Sequence, residues 1–119
     1  MAATSITVTK LKRNTAFAVP ATAAVNASDG AEIDLSGISD ERLLIILENG
    51  STSAEKTATI KKGNGIAGVS DLAVTLAASE KKCIVIESSK FKNVSGASAG
   101  KMIISGTDTN VKVAAVYLP

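Results

Sequence analysis

Five branched apolar residues in succession, Leu43-Leu44-Ile45-Ile46-Leu47, constrain the fold of this chain more than any other stretch. Arg42 fences the run on one side and Glu48-Asn49-Gly50 on the other. The run is too short for a globular helix and closes in a turn signal, so Glu41 to Asn49 reads as a strand. A strand that is apolar at odd and even positions alike is covered on both faces and lies in mid-sheet. Leu43, Ile45 and Leu47 form the cleaner inward set, because the even face, Arg42, Leu44, Ile46 and Glu48, is charged at its ends.

Most other segments alternate. Thr4 to Leu11 sets Ile6 and Val8 against Thr7 and Thr9, and Ala31 to Leu35 buries Ala31, Ile33 and Leu35 between acids. Between them, Ala16 to Ala27 is an Ala/Thr-rich crossing in which Pro20 argues against a central strand, and Ser28-Asp29-Gly30 is a turn. Ile38 to Glu41 suits a single helical turn. Lys56 to Lys61 (KTATIK) reads as an edge or solvent-facing strand. Leu72 to Leu76 alternates strictly, and Cys83 to Ile86 is a second run apolar on both faces, hence a second central strand. Ser88 to Gly100 is a loop whose Phe91 is expected to plug one end of the core. Lys101 to Ser105 and Val111 to Leu118 complete the set. About eight short strands, with turn signals every 8–12 residues and no long amphipathic helix, predict an all-β fold. The expected architecture is a two-sheet antiparallel β-sandwich, jelly-roll-like or immunoglobulin-like, filling residues 1–119 as one domain. The absent Cys…Trp…Cys pattern leans toward the jelly roll.

The residue inventory argues against reaction centres. There is no His and only one Cys, Cys83, so neither a Ser-His-Asp triad, a Cys/His pair nor a thiolate zinc site can be assembled within one chain. Gly63 to Gly68 matches G-x-G-x-x-G, with Glu87 about twenty residues on, but the fingerprint needs a helix after its glycines and here a period-two strand follows. Asp34, Asp40, Glu41, Glu48 and Asp108 flank strands or sit in turns without the spacing of a cation loop. Ser89-Lys90 leaves Ser-Lys chemistry formally open and nothing else supports it. The expectation is no enzyme, no cofactor and no metal. Thirteen basic and eleven acidic residues are interspersed, and aromatics make up 3% of the chain, so neither a basic stripe nor stacking platforms for nucleic acid stand out. No segment has the roughly 18 continuous apolar residues of a membrane span, and the amino terminus lacks an apolar signal core. The sequons at Asn26, Asn49 and Asn93 then read as turn chemistry.

One feature is in surplus. Leu44 and Ile46, together with Ile84 and Ile86, fall opposite the best inward sets, where no helix is available to cover them. Such a patch in a soluble protein marks a contact surface, and at roughly 25 cal/mol per Å² its burial is a gain of several kcal/mol. A homo-oligomer is the expectation; the alternative is that the Ala16–Ala27 crossing folds over the same residues.

The succession TVTKLKRNTAFAVP, AEIDLSG, LLIILENG, TATIKKGNG, DLAVTLAASEKKCIVIESSKF and SGTDTNVKVAAVYLP resembles small capsid decoration or head-associated structural proteins of tailed bacteriophages and prophages. The resemblance spans nearly the whole chain and rests on framework motifs: the apolar strand followed by TxTIKxGNG, the ESSKF segment and the Leu-Pro ending. It implies a virion component, made in the host cytoplasm, that binds the major capsid protein on the outer head surface, often as a trimer, and stabilises the shell. It transfers no catalytic residue. Residues 1–9 are expected to serve as an attachment arm or edge strand, so that Ile6 and Val8 join Leu44, Ile46, Ile84 and Ile86 as the expected interface. A tail, neck or fibre component, or a carbohydrate- or cell-surface-binding module, are the alternatives; for the last, Tyr117 is the sole tyrosine and Trp is absent.

Overall fold

A computed structural model describes residues 3–119. The strands are β1 (Thr4–Ile6), β2 (Val8–Lys10), β3 (Ala23–Ala24), β4 (Ala31–Asp34), β5 (Leu43–Asn49), β6 (Lys56–Ile60), β7 (Leu72–Leu76), β8 (Lys81–Ile84), β9 (Lys101–Gly106) and β10 (Val111–Tyr117). A 3-10 turn, Asp40–Arg42, leads into β5, and the single helical turn α1 (Ser88–Phe91) follows β8. They form two sheets, ordered β1-β4-β9-β6-β7 and β2-β10-β5-β8, with β3 beside β10. The all-β sandwich is as expected.

Three details differ from the expectation, each for a physical reason. First, the sheets are mixed, not purely antiparallel: β1 runs parallel to β4 and β2 parallel to β10. Thr7 is the point where one extended segment passes from the first sheet to the second; this split and the short β3 in the Ala16–Ala27 crossing raise the strand number to ten. Period-two alternation is unaffected by such a switch, so it leaves no trace in the pattern. Second, β6 is not an edge: it lies between β9 and β7, burying Ala58 and Ile60 while its threonines face outward. Third, β8 is not central. It pairs with β5 alone, at the edge of the second sheet.

The core lies between the sheets. Ile33, Met102, Ile104, Ile60 and Leu76 come from the first sheet and Leu43, Ile45, Leu47, Val111 and Val113 from the second, all essentially without solvent contact. Phe91 joins this cluster from α1. The Gly63–Gly68 stretch opens no helix. Asn64 pins it to the neighbouring loop, its Nδ2 donating to Ser95 O (3.0 Å) and its Oδ1 accepting the Val94 N–H (2.7 Å).

Asn49 is the one buried polar residue among those described, at 1% exposure. It ends β5 and lies inward, so it is a structural cross-tie more than a turn residue: Nδ2 reaches Ala54 O (2.8 Å), Ala77 O (3.1 Å) and Leu76 O (3.2 Å), and Oδ1 accepts the Ser51 N–H (2.8 Å). The contacts to Leu76 and Ala77 bind the second sheet to the end of β7 in the first.

Candidate interaction surface

The two outer faces of the sandwich differ in kind. On the first sheet the residues turned away from the core are Glu32, Lys101, Ser105, Thr57, Thr59 and Thr75, with Lys101 and Glu32 paired at 3.2 Å; Ile103 is the large apolar exception. On the second sheet the register sets Val116 beside Leu44, and Ala114 beside Ile46 beside Cys83. Lys112, Glu48 and Lys81 form the next row and give the patch a charged margin, with Lys81 and Glu48 3.7 Å apart. Val85, one residue past β8, is 57% exposed and extends the apolar area beyond Leu44.

Part of this face is covered by the chain itself. After Leu11 donates its N–H to Tyr117 O (2.9 Å), the segment up to Thr22 crosses the sheet and the Thr22 hydroxyl reaches the Glu48 carboxylate on β5. Pro20 and Ala21 lie beside Ala114 along a shallow cleft. Ala114 and Val116 are consequently 3% and 6% exposed although they stand outside the main core cluster. Leu44 and Ile46 stay partly exposed. The crossing adds apolar surface of its own through Phe17 and Val19, the latter 85% exposed.

Of the six expected interface residues, the structure places Leu44 and Ile46 on this outer face and turns the other four to the core. Ile84 lies opposite Ile45, so it and the buried Ile86 point between the sheets. The outward residues of that segment are Cys83 and Val85. Ile6 is buried in the core and Val8 packs against it, each held by a parallel strand pairing within the chain. Among the described residues the amino-terminal segment is thus an edge strand of its own fold, and an arm free to reach a neighbour is not what Thr4–Lys10 forms; Met1 and Ala2 lie outside the described residues. The sequence reading missed Ala114 and Val116. Their signal is present in β10, where Val113-Ala114-Ala115-Val116 is apolar at odd and even positions just as β5 is.

No concentration of ionisable groups competes with this surface. Among the described residues no group of three or more His, Cys, Asp or Glu is placed to hold a metal ion, and no helix is long and apolar enough to cross a membrane. Three aspartates are tuned by structural bonds instead. The Ser36 backbone N–H lowers the pKa of Asp34, the Lys62 backbone N–H and then the Lys61 ammonium lower that of Asp71, and the Lys56 ammonium, 2.7 Å away, lowers that of Asp108 ahead of the Asn110 N–H. Each therefore takes up a proton in the unfolded chain before it does in the fold. Their stabilisation is complete above the unfolded value near pH ~3.9 and is lost as pH falls through the lower folded values. The thermal midpoint should stay level from about pH 8 to about pH 5 and decline below about pH 4; calorimetry across that range checks it, and a decline beginning near neutrality would contradict it.

No family model matches the chain, and no curated protein or solved structure matches it either.

Proposed function

We propose that this chain is a structural component of a bacteriophage particle, binding the outer surface of the head as a homo-oligomer and stabilising it by contact, without catalysis. The observation that carries the reading is the asymmetry of the sandwich: one outer face is Thr-rich and charged, the other keeps Leu44, Ile46, Val85, Phe17 and Val19 at the surface. Apolar area of this kind in a small domain marks a contact surface, and among the described residues no cluster of metal-ligating side chains accompanies it. The framework resemblance to head decoration proteins supports the same reading, with the major capsid protein as partner and the capsid surface as location. A sugar-binding module is disfavoured by Tyr117, which is part-buried with its hydroxyl accepting the Ser39 N–H, and so offers no stacking platform.

Cosedimentation with purified particles tests the proposal. The protein should pellet with mature heads and not with procapsids or tails; retention on tails alone would move it to a tail, neck or fibre role. Leu44→Thr combined with Ile46→Thr keeps β propensity while removing apolar contact area, and should lower head affinity tenfold or more, about 1.4 kcal/mol or above. The same variant should still unfold cooperatively, within about 10 °C of the wild type, because both side chains lie on the outer face and outside the fully buried core. Undiminished occupancy would detach the function from this face.

A further inference from the structure

The edge of the first sheet formed by β7 carries a hydrogen-bonding row that no strand among the described residues pairs with. Thr57 O accepts the Thr107 N–H (3.1 Å) and the Lys61 N–H donates to Ile103 O (2.8 Å), so the odd residues of β6 direct their backbone groups toward β9 and the even ones toward β7. Given the pairing of Ala58 with Val74, the residues of β7 bonded to β6 are Leu72, Val74 and Leu76. The N–H and C=O groups of Ala73 and Thr75 therefore point off the edge. In agreement, the one polar side chain that meets them, the Lys82 ammonium, donates to Thr75 O at 2.7 Å.

Apart from that lysine the edge has little protection: β7 itself is Leu-Ala-Val-Thr-Leu, with no charge, no Pro and no bulge. On its inner side Leu72 and Val74 pack on the core but are only partly covered, because the sandwich is open between β7 and β8. The strand is also close to a palindrome about Val74. We propose that β7 pairs antiparallel with β7 of a second copy about a two-fold axis through Val74, fusing the two five-stranded sheets into one. In that register Ala73 lies opposite Thr75 of the second copy, at both ends of the axis, and each such pair exchanges two backbone bonds using the groups that point outward here. Val74 meets Val74 and Leu72 meets Leu76 on the inner side, which gives the half-covered core residues their missing neighbour. Asp71 falls opposite Ala77, so like charges are not brought together. A carbonyl oxygen has two lone pairs, so Thr75 O can accept the new N–H while keeping Lys82. This contact uses the first sheet's edge and leaves the apolar face of the second sheet open, so it stands independently of head binding.

Sedimentation equilibrium of the full chain up to about 100 μM, far above a micromolar Kd, should give twice the chain mass. Thr75→Pro removes an N–H that β6 does not use, so the fold keeps its ladder while the second copy loses its bond; the variant should be monomeric over the same range with an unchanged circular dichroism spectrum. Should Thr75→Pro not fold, cysteine pairs decide. In a Cys83→Ser background, Val74→Cys should form a disulfide-linked dimer on mild oxidation, since position 74 faces its own copy, whereas Ala73→Cys, on the opposite face and out of register with itself, should not. A monomeric wild type, an oligomer that survives Thr75→Pro, or equal crosslinking at positions 73 and 74 would overturn the proposal.

Discussion

Asn49→Asp is expected to lower the unfolding free energy at pH 7 by about 4 kcal/mol or more, a large share of the roughly 5–15 kcal/mol that holds a small domain. The substitution changes almost no volume. It does replace an amide that donates to three carbonyls with a carboxylate facing the same three oxygens, and it does so at a position sealed from water. The Ser51 N–H still reaches one carboxylate oxygen, but the other meets only acceptors, and a buried charge so poorly served is far costlier than a missing hydrogen bond. Burial and the carbonyl dipoles raise the folded-state pKa of the new acid, so the deficit should shrink as pH falls through that raised value and the group becomes neutral. Urea unfolding at pH 7 and pH 5 measures this. Asn49→Ala is the companion: it should cost about 2–3 kcal/mol at both pH values, from unpaired carbonyls and the freed Ser51 N–H. A wild-type midpoint for Asn49→Asp at pH 7 would mean that water reaches the site.

The second large effect is expected at Gly30, where a methyl group is opposed twice over. Its φ is +73°, a left-handed conformation that disfavours any Cβ, and the added carbon would run into the Ile104 carbonyl and stand 3.1 Å from the Ser105 Cα. Neither obstacle can swing aside, because Ile104 is held in β9 by its pairing with Ala31 and Ile60. Gly30 also anchors the turn from both sides: its N–H donates to Asn26 O and its carbonyl accepts the Thr4 N–H that starts β1, each at 2.9 Å. Gly30→Ala should therefore cost about 3 kcal/mol or more. Gly37→Ala provides the contrast. Its φ of +71° is nearly the same, but no atom lies within 4 Å of the added carbon, so only the conformational part, about 1 kcal/mol, should appear. Denaturant midpoints for the pair separate backbone strain from close approach, and equal losses would show that the approach to β9 relaxes.

Why some of this was readable in the sequence and some not follows from what each pattern depends on. The division of Leu43–Leu47 into a core set and a surface set held, because alternation is a local property and the odd residues are the ones fully buried. The same logic misassigned Cys83–Ile86. Apolar residues on both faces suggested a central strand, but strand order is decided by long-range pairing, and at a sheet edge Ile84 and Ile86 face inward while Cys83 and Val85 occupy the open side. The Thr and Lys content of KTATIK fits an edge or a solvent-facing strand alike; the structure has the second, with the threonines on the polar outer face of a strand flanked on both sides. Asn49 read as a turn residue because Asn-Gly usually is one; the three carbonyls it serves come from segments that are distant or looped back in sequence.

The tie at Asn49 also bears on how long a molecule of this protein remains chemically intact. In an Asn-Gly dipeptide the glycine nitrogen readily attacks the side-chain amide carbon, expelling ammonia and closing a cyclic imide that opens to aspartate or isoaspartate. In the fold the Gly50 nitrogen has its N–H committed to Asn110 O at 2.8 Å, and the amide it would attack is held by Ala54, Leu76, Ala77 and Ser51. Unfolding releases both partners at once. Time spent unfolded is then recorded covalently at the very residue whose conversion to an acid prevents return, so a spell of heat that is reversible when brief becomes permanent when long.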